Sequence, residues 1–494
     1  MTDLGRYLTF DLGAESGRAV LGELDAGRLR LTTVHRFPNE PQRILNRFHW
    51  DTVRLFAEIK TGISKCARDH GAHLDGMGVD TWGVDYALLD SSDEILGLPY
   101  HYRDHRTDGI MERTFETVSR EEVYRTTGIQ FMQLNSLFQL VAQRLSNPRL
   151  LDHARRLLFT PDLLHFWLTG VKANEFTIAT TSQCYDPRNN TWARSMLERL
   201  EIPSVLFGDV VPPGTVLGPI HGSIMADTRI GPVPVIAPAT HDTGSAVAAV
   251  PTQDANGWAY ISCGTWSLVG VEWPEPVISD KTLEYNLTNE GGVNGTTRLL
   301  RNVMGLWILQ ECRRSWDRQG RSFTYEELAK MSADAPQFGA LLDPDSPAFL
   351  NPDEMPDAIA KFCDETGQRR PDGVAATVRA VIESLALKYR WVVERLEEVT
   401  GSRVETIHMI GGGIQNRALC QATASACGRR VLAGPVEATA AGNVLVQAMA
   451  IGRVANLAEG RRLIGASFPI DEYLPTAVDA WDRVYEKFVR LIRT

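Results

Sequence analysis

One α/β pattern occurs twice along the sequence, and this repetition restricts the fold more than any other feature. The first occurrence combines strand-like segments at 7–11, 18–24, 29–37 and 77–80 with a glycine turn at 13–17 and a helix capped by Asp51. The strand and turn rhythm restarts near Trp258, with strand-like segments at 259–264 and 267–272. We therefore predict an α/β protein of two related domains, residues 1–247 and 248–494, with a ligand site in the cleft between them.

Composition and charge exclude several classes of protein. The chain has 494 residues, of which 44% are apolar and 23% charged, as in soluble globular proteins. Its formal net charge of -10 argues against a nucleic-acid partner. The sequence shows no membrane-length apolar run, no secretion signal, no CxxC pair among seven scattered cysteines and no evident obligate protein partner. We expect a protein of the reducing cytoplasm without a zinc site.

The segment from Asp11 to Arg18 is a candidate phosphate loop. Gly13 and Gly17 allow a tight turn and close approach of a ligand, and free amides with the Ser16 hydroxyl are suited to phosphate oxygens. Asp11, at a strand end, is positioned to reach magnesium, through water. An ordinary hairpin turn explains the same residues, and the chain contains no GxxxxGK[ST] motif.

The segment from Gly78 to Asp85 is a candidate sugar site. Trp82 offers a flat face to the C–H surface of a sugar, Asp85 accepts hydroxyl protons, and Gly83 permits close approach of a ligand. A glycine at this place also marks a β-bulge, so a structural interpretation stays open.

The segment from Ala239 to Ala246 carries the candidate catalytic base. Asp242 follows the apolar stretch 233–236 just where a strand ends, and α/β proteins place their ligands at this edge. A free aspartate titrates near 3.9, so Asp242 would be charged at neutral pH and able to accept a proton. Helix capping is the structural alternative for this residue.

The second half has three further candidate segments. The turn at Gly264 and Thr265 is a second candidate phosphate loop, with a plain hairpin as its alternative. The strand 404–410 runs into Gly411-Gly412-Gly413 and then a helix, an arrangement that suits a nucleotide. Asn302 precedes an apolar helical pattern and is explained equally well as a helix cap.

These segments, in this order, resemble the FGGY family of carbohydrate kinases over residues 7–450. The resemblance is carried by DLGAESGR at Asp11, GVDTWGVDYALLD at Gly78, YRDHRTDG at Tyr102, GIQFMQLNSLFQL at Gly128, TPDLLHFWLTG at Thr160, THDTGSA at Thr240, SCGTWSLVG at Ser262, NVMGLWILQ at Asn302, HMIGGGIQN at His408 and AGPVEATAAGN at Ala433. Each motif alone is weak, whereas the ordered set is specific.

The resemblance implies two actin-like or ribonuclease-H-like domains around a catalytic cleft. It implies ATP-dependent phosphorylation of a ketose with Mg²⁺, and Asp242 as the proton acceptor. By residue-by-residue match, the sugar is contacted by Gly83, His241, Asp242, Thr243 and Asn302. ATP is contacted by Ala14, Glu15, Ser16, Gly17, Arg18, Thr265, Gln310 and Gly412. The side chain of Glu15 would repel phosphates unless it points away or helps to hold the metal.

The resemblance leaves the substrate and one further function class open. The run from Trp82 to Asp85 favours L-rhamnulose, with L-fuculose, L-xylulose and L-ribulose as alternatives. The Arg-Glu of glycerol kinases and the Met-His-Gly of D-xylulokinases are absent from this region. A catalytically silent sugar sensor, or an actin-like ATPase without a small substrate, would use the same fold.

Overall fold

The computed structural model describes residues 4–492, which form alternating strands and helices. The strands are β1 Gly5–Leu12, β2 Ser16–Asp25, β3 Arg28–Pro38, β4 Gln42–Ile44, β5 Arg47–His49, β6 Gly76–Thr81, β7 Tyr86–Leu89, β8 Arg156–Phe159, β9 Asn174–Glu175, β10 Tyr185–Asp186, β11 Thr191–Trp192, β12 Val210–Val211, β13 Thr215–Pro219, β14 Pro234–Ala237, β15 Trp258–Cys263, β16 Trp266–Trp273, β17 Thr288–Gly291, β18 Thr297–Met304, β19 Thr406–Ile410, β20 Arg430–Ala433 and β21 Asp471–Tyr473.

The helices lie between and after these strands. They are α1 Thr52–His70, α2 Ile110–Phe115, α3 Arg120–Thr127, α4 Ser136–Ser146, α5 Pro148–His153, α6 Thr160–Thr169, α7 Phe176–Thr180, α8 Arg194–Arg199, α9 Gly222–Thr228, α10 Asp242–Ala248, α11 Asp280–Glu284, α12 Trp307–Arg318, α13 Tyr325–Ala333, α14 Met355–Glu365, α15 Gly373–Thr400, α16 Arg417–Cys427, α17 Ala438–Ala450, α18 Leu457–Ser467 and α19 Val478–Leu491. No helix within residues 4–492 is long and apolar enough to cross a membrane.

The chain forms two compact units, and both are built from discontinuous segments. The first unit comprises residues 1–253, 272–299 and 438–467, and the second comprises the rest. The division of the sequence into 1–247 and 248–494 stays a prediction about domains. The compact units differ from it because two later segments fold with the first unit.

A mixed sheet forms the framework of the first unit. Its strand order is β13-β14-β6-β1-β2-β3, in which β14, β6 and β1 are parallel and β1, β2 and β3 form antiparallel hairpins. The predicted strands at 7–11, 18–24, 29–37 and 77–80 are confirmed within one or two residues. Because β14, β6 and β1 run the same way, their carboxyl ends share one edge of the sheet.

Helix α1 covers one face of this sheet with an apolar stripe. Leu55, Ile59, Ile63 and Cys66 recur at helical spacing, and all four are buried. The Asp51 side chain accepts a hydrogen bond of 3.0 Å from the Arg54 amide, so the predicted N-cap is confirmed. Burying such a stripe supplies most of the stability of a surface helix.

Glycines bring α17 unusually close to the sheet and to α10. A Cβ at Gly78 would lie 2.8 Å from the Ile236 carbonyl oxygen and 3.1 Å from the side chain of Asn443. A Cβ at Gly442 would lie only 1.8 Å from the Ser245 carbonyl oxygen. Real Cβ atoms do not tolerate such distances, so these glycines permit the close packing. The contact sets the position of α10, which begins at Asp242.

The second unit is built on a second mixed sheet. The strands of this sheet that lie wholly or partly in the second unit follow the order β18-β16-β15-β19-β20-β21, with β15 parallel to β19 and antiparallel to β16. The long helix α15 confirms the predicted apolar helix, and buried side chains such as Val378, Leu385 and Val392 line it. The carboxyl ends of β15 and β19 therefore lie at one edge of this sheet, side by side.

Candidate functional site

Three aspartates gather at the carboxyl edge of the first sheet. Asp11 and Asp80 lie directly opposite each other in the parallel pair β1 and β6, and Asp242 begins α10 after β14. Burial, and then the charge of Asp11, raise the pKa of Asp80 well above its usual value, and Asp242 adds to this effect. Three carboxylates that repel one another at a strand edge indicate a functional site rather than a stabilising cluster.

The contacts to Asp242 leave one of its carboxylate oxygens available. The Thr243 amide and hydroxyl donate to Oδ1 over 2.5 and 3.1 Å, and His241 Nε2 lies 3.5 Å from the same oxygen. Among the described residues no hydrogen bond or ion pair reaches Oδ2. The side chain is 29% exposed, so a ligand has access to it.

The environment of Asp242 also suits proton transfer. Burial raises its pKa, with a further contribution from Asp11, while His241 and the hydrogen bonds from Thr243 oppose the shift. A base works best when its pKa lies nearer the working pH than that of a free aspartate.

A buried glutamate that the sequence analysis missed holds the chain before Asp242. Glu175 Oε2 accepts hydrogen bonds from the Thr240 amide at 3.0 Å and the Thr240 hydroxyl at 2.7 Å. The same carboxylate accepts from the Thr177 amide and hydroxyl, and the Thr177 hydroxyl also accepts from the His241 amide at 3.1 Å. Glu175 therefore fixes the backbone on which His241 and Asp242 are mounted. No motif of the sequence marks this role, because it depends on contacts 65 residues apart.

We expect Glu175→Gln to lower activity more than it lowers stability. The amide of glutamine places a donor opposite the Thr177 amide, which leaves a buried group unsatisfied at a cost of about 1–3 kcal/mol. The resulting shift of residues 240–242 should lower kcat about tenfold or more. Urea unfolding and steady-state kinetics measure the two effects.

A matched control is Glu327→Gln. Glu327 accepts from the amide and hydroxyl of Thr324 in an exposed capping box of the second unit. Its substitution should leave kcat unchanged. Equal losses of kcat in both variants would contradict a positioning role for Glu175.

The glycine turn forms a hairpin between β1 and β2. The Gly13 amide donates to the Ser16 carbonyl over 3.0 Å, and Glu15 and Ser16 are exposed. A Cβ at Gly17 would lie 2.4 Å from the ring of Phe37, so close packing requires this glycine. Arg18 donates to Asp11 Oδ2 from Nε at 3.0 Å and from Nη2 at 2.6 Å.

The loop after β6 corrects two expectations about the sugar. Trp82 is buried against the ring of Trp50, with the ring centroids 4.0 Å apart, so it offers no open face to a ligand. Asp85 is buried as well, and its carboxylate accepts from the indoles of Trp50 and Trp82, the Tyr102 amide and the Gln139 side chain. Asp85 is therefore a structural anchor, because four donors already use the acceptors that a sugar would need.

Hydrogen bonds from two other segments hold strained backbone beside Gly83. Val84 has a φ of 68°, which a β-branched residue rarely adopts. The Thr181 hydroxyl accepts from the Val84 amide at 3.2 Å, and the Ser136 hydroxyl donates to its carbonyl at 2.5 Å. Strain that is fixed from several sides is typical of functional loops. Gly83 itself is partly exposed at this bend.

The buried position of Asp85 predicts a pH dependence of stability. Burial raises its pKa to about 6, so between its unfolded pKa near 3.8 and about 6 the folded protein binds the extra proton. Stability contributed by Asp85 is therefore complete below the unfolded pKa and is lost as the pH rises through 6. We compare the free energy of unfolding of the parent with that of Asp85→Asn. The value for the parent minus the value for the variant should fall by up to about 3 kcal/mol from pH 4 to pH 7. Urea unfolding at three pH values tests this, and a difference that grows with pH would contradict it.

In the second unit, the nucleotide candidates lie at the shared edge of β15 and β19. The Thr265 carbonyl accepts from the amides of Gly305 and Trp307 at 3.1 Å, which joins the turn to the start of α12, the helix that carries Gln310. A Cβ at Gly413 would lie 2.5 Å from the sulfur of Cys263, so the glycine turn packs on the end of β15. Gly412 is exposed with open space around it, and Gln310 Oε1 is buried without a hydrogen-bond partner. Strand ends thus bring Thr265, Gln310 and Gly412 into one region.

The helix-cap interpretation of Asn302 is wrong. The residue lies within β18, and α12 begins only at Trp307 with Leu306 at its N-cap position. Asn302 therefore does not cap that helix. The apolar residues that follow Asn302 belong to two elements. Met304 ends strand β18, and Trp307 and Ile308 begin helix α12, although their spacing is that of a single helix.

The residues at the first carboxyl edge fit a magnesium ion that is shared with phosphates. Asp80 Oδ1 is buried without a hydrogen-bond partner beside two further carboxylates. Over residues 4–492, however, no group of three or more acidic, histidine or cysteine side chains could hold a metal ion by itself. Mg²⁺ typically keeps waters and uses one or two carboxylates together with substrate phosphates, so the carboxylates at this edge would be candidate ligands beside bound phosphates.

Comparison with known proteins decides the family. The N-terminal domain of the FGGY family of carbohydrate kinases matches residues 6–249, and its C-terminal domain matches residues 259–451. The chain belongs to the FGGY family of carbohydrate kinases. As an FGGY carbohydrate kinase it is an enzyme with ATP as co-substrate, and the predicted family and fold class are confirmed.

Relatives within the FGGY family match the chain over almost its whole length. A rhamnulokinase of Bacteroides thetaiotaomicron is 43% identical over 487 residues, 99% of each chain. A rhamnulokinase of Oceanobacillus iheyensis is 41% identical over 96% of this chain and 99% of its own. Among solved structures, the xylulose kinase of Lactobacillus acidophilus superposes with a TM-score of 0.81 over 99% of this chain and 97% of its own, at 15% identity. The last comparison shows the shared FGGY fold.

Proposed function

We propose that this FGGY kinase transfers the γ-phosphoryl group of ATP to L-rhamnulose and forms L-rhamnulose 1-phosphate and ADP in L-rhamnose catabolism. Near-full-length identity of about 40% to rhamnulokinases supports this substrate. The observation that carries the mechanism is the Asp242 carboxylate, which begins a helix at the carboxyl edge of the sheet with Oδ1 held and Oδ2 available. Action in the cytoplasm remains part of this proposal.

Asp242 Oδ2 accepts the proton of the primary hydroxyl as that oxygen attacks the γ-phosphorus. The Thr243 amide and hydroxyl hold Oδ1, so the carboxylate cannot rotate away from the substrate. A raised pKa makes Asp242 a better proton acceptor than a free aspartate. The bond from phosphorus to the bridging oxygen breaks, and ADP leaves with the electron pair.

The phosphates and the metal are assigned to the carboxyl edges of the two sheets. In the first unit, the turn from Ala14 to Gly17 and the side chain of Arg18 bind phosphate oxygens, with Arg18 directed by its ion pair with Asp11. In the second unit, Thr265, Gln310 and Gly412 bind the nucleotide. Mg²⁺ would neutralise the charge of the phosphates, with Asp11 holding it through water.

The sugar is assigned to the residues around Asp242. Gly83, next to the strained backbone of Val84, allows the ligand to approach, and His241 and Thr243 flank the carboxylate. By its match to the family motif, Asn302 is also assigned to a sugar hydroxyl. A site that pairs each hydroxyl of its substrate discriminates strongly against sugars that leave its polar groups unpaired.

A panel of ketoses tests the substrate. ADP formation should be fastest, by kcat/KM, with L-rhamnulose, and slower with L-fuculose, L-xylulose and L-ribulose. A higher kcat/KM for any of the other three would assign the chain to that ketose. Binding of L-rhamnulose without any ADP formation would favour the sugar-sensor alternative.

A further inference from the structure

A fully buried arginine contacts the histidine beside the candidate base. Arg298, at the start of β18 in the first unit, has no exposed side-chain surface. Its Nε donates to the Gly291 carbonyl over 2.8 Å, and its Nη2 lies 3.0 Å from His241 Nδ1. An arginine is rarely buried completely without partners that fix it, so this contact requires an explanation.

The chemistry of the guanidinium decides which nitrogen of His241 carries the proton. Guanidinium nitrogens donate hydrogen bonds and do not accept them, so His241 Nδ1 must accept. The imidazole is then neutral, with its proton on Nε2. Nε2 is the nitrogen that lies 3.5 Å from Asp242 Oδ1.

The carboxylate of Glu290 contacts both Arg298 and His241. Glu290 Oε2 lies 3.2 Å from Arg298 Nη2 and 3.4 Å from His241 Nδ1. Glu290 therefore competes with the arginine for Nδ1, and it would accept a proton from that nitrogen if Arg298 were absent. The shorter contact to Arg298 favours the tautomer with the proton on Nε2.

We propose that Arg298 is a positioning residue that keeps the proton of His241 on Nε2 against the competing carboxylate of Glu290, so that this histidine donates a hydrogen bond toward Asp242 and the sugar oxygen beside it. The proposal rests on the assignment of His241 to the sugar site. The fixed tautomer contributes to substrate specificity, because a histidine that is held as a hydrogen-bond donor prefers a sugar with an acceptor oxygen at this position. Residues 272–299 thus contribute to the sugar site through the contact of Arg298 with His241.

Nitrogen NMR of the full-length protein labelled at its 11 histidines reads the tautomer directly. The His241→Gln variant identifies the His241 signals by their loss. The parent should show an unprotonated Nδ1 and a protonated Nε2, and Arg298→Met should move the proton to Nδ1. An unchanged tautomer in Arg298→Met, or a protonated Nδ1 in the parent, would overturn the proposal.

Kinetics with L-rhamnulose give the second readout. In Arg298→Met, kcat/KM for the sugar should fall between about 10- and 100-fold, while KM for ATP stays within about twofold. The matched control is Arg461→Met, since Arg461 is also buried in the first unit and paired with Glu272 at 2.9 Å. A similar loss of sugar kcat/KM in the control would assign the effect to general destabilisation and overturn the proposal.

Two further variants separate the possible failures. Glu290→Gln keeps Arg298 and should leave the tautomer unchanged; a proton that moves would show that Glu290, not Arg298, governs His241. If His241→Gln retains the parent's kcat and sugar KM, the assigned sugar site is wrong. If His241→Gln loses activity and Arg298→Met does not, only the role of Arg298 is wrong.

Discussion

Asp242→Asn should lose between about 10²- and 10⁴-fold of its sugar-dependent kcat while it retains the parent's fold. Asparagine has nearly the shape of aspartate, and its oxygen can accept the two hydrogen bonds that Thr243 donates to Oδ1. Its amide then occupies the position of Oδ2, where it cannot accept a proton. A coupled ADP assay with L-rhamnulose, together with the unfolding midpoint in urea, measures both effects.

The control for this variant is Asp227→Asn. Asp227 is an exposed residue of the same unit that pairs with Lys60 at 3.2 Å. Loss of this surface pair should change stability by about 1 kcal/mol or less and should leave kcat unaltered. Turnover of Asp242→Asn at the rate of the parent would show that another group accepts the proton.

Gly442→Ala should destabilise the first unit by about 3 kcal/mol and lower kcat as well. The added Cβ would lie 1.8 Å from the Ser245 carbonyl oxygen and 2.6 Å from its carbonyl carbon, so backbone must move. When α17 moves away from α10 to relieve this clash, the start of α10, where Asp242 lies, is displaced. Urea unfolding and steady-state kinetics measure the two losses.

Gly465→Ala is the matched control in the neighbouring helix α18. A Cβ at Gly465 would lie 3.5 Å from Pro251, which is an ordinary contact. Replacement of glycine by alanine inside a helix should then leave stability unchanged or raise it by up to about 1 kcal/mol. If Gly442→Ala unfolds at the same urea concentration as this control, the close packing of α17 and α10 is not required.

Features that depend on local pattern could be predicted from the sequence. The strand β1 and the N-cap at Asp51 follow from interactions within a few residues, and the structure confirms both. The position of Asp242 at a strand end was also visible, because an apolar stretch precedes it and small residues follow. Its role as proton acceptor stays a prediction until it is measured.

Features that depend on distant contacts could not be predicted. The burial of Asp85 reverses its expected role, because Trp50 and Gln139 reach it from 35 and 54 residues away. Glu175 and Arg298 lie in segments without a recognisable motif, and only the folded chain brings them to residues 240 and 241. The sequence offers one signal for such residues, a polar side chain inside an otherwise apolar stretch. This signal does not identify the residue that the polar side chain contacts.

The joint measurement of ADP and sugar phosphate in one reaction tests the central claim most directly. With ATP and Mg²⁺ alone, the protein should release little ADP; with L-rhamnulose added, ADP and a sugar phosphorylated at its primary hydroxyl should form in equal amounts. Equal rates of ADP release with and without the sugar would indicate a simple ATPase. That result, or ADP formation without a phosphorylated sugar, would contradict a kinase in which Asp242 deprotonates the ketose.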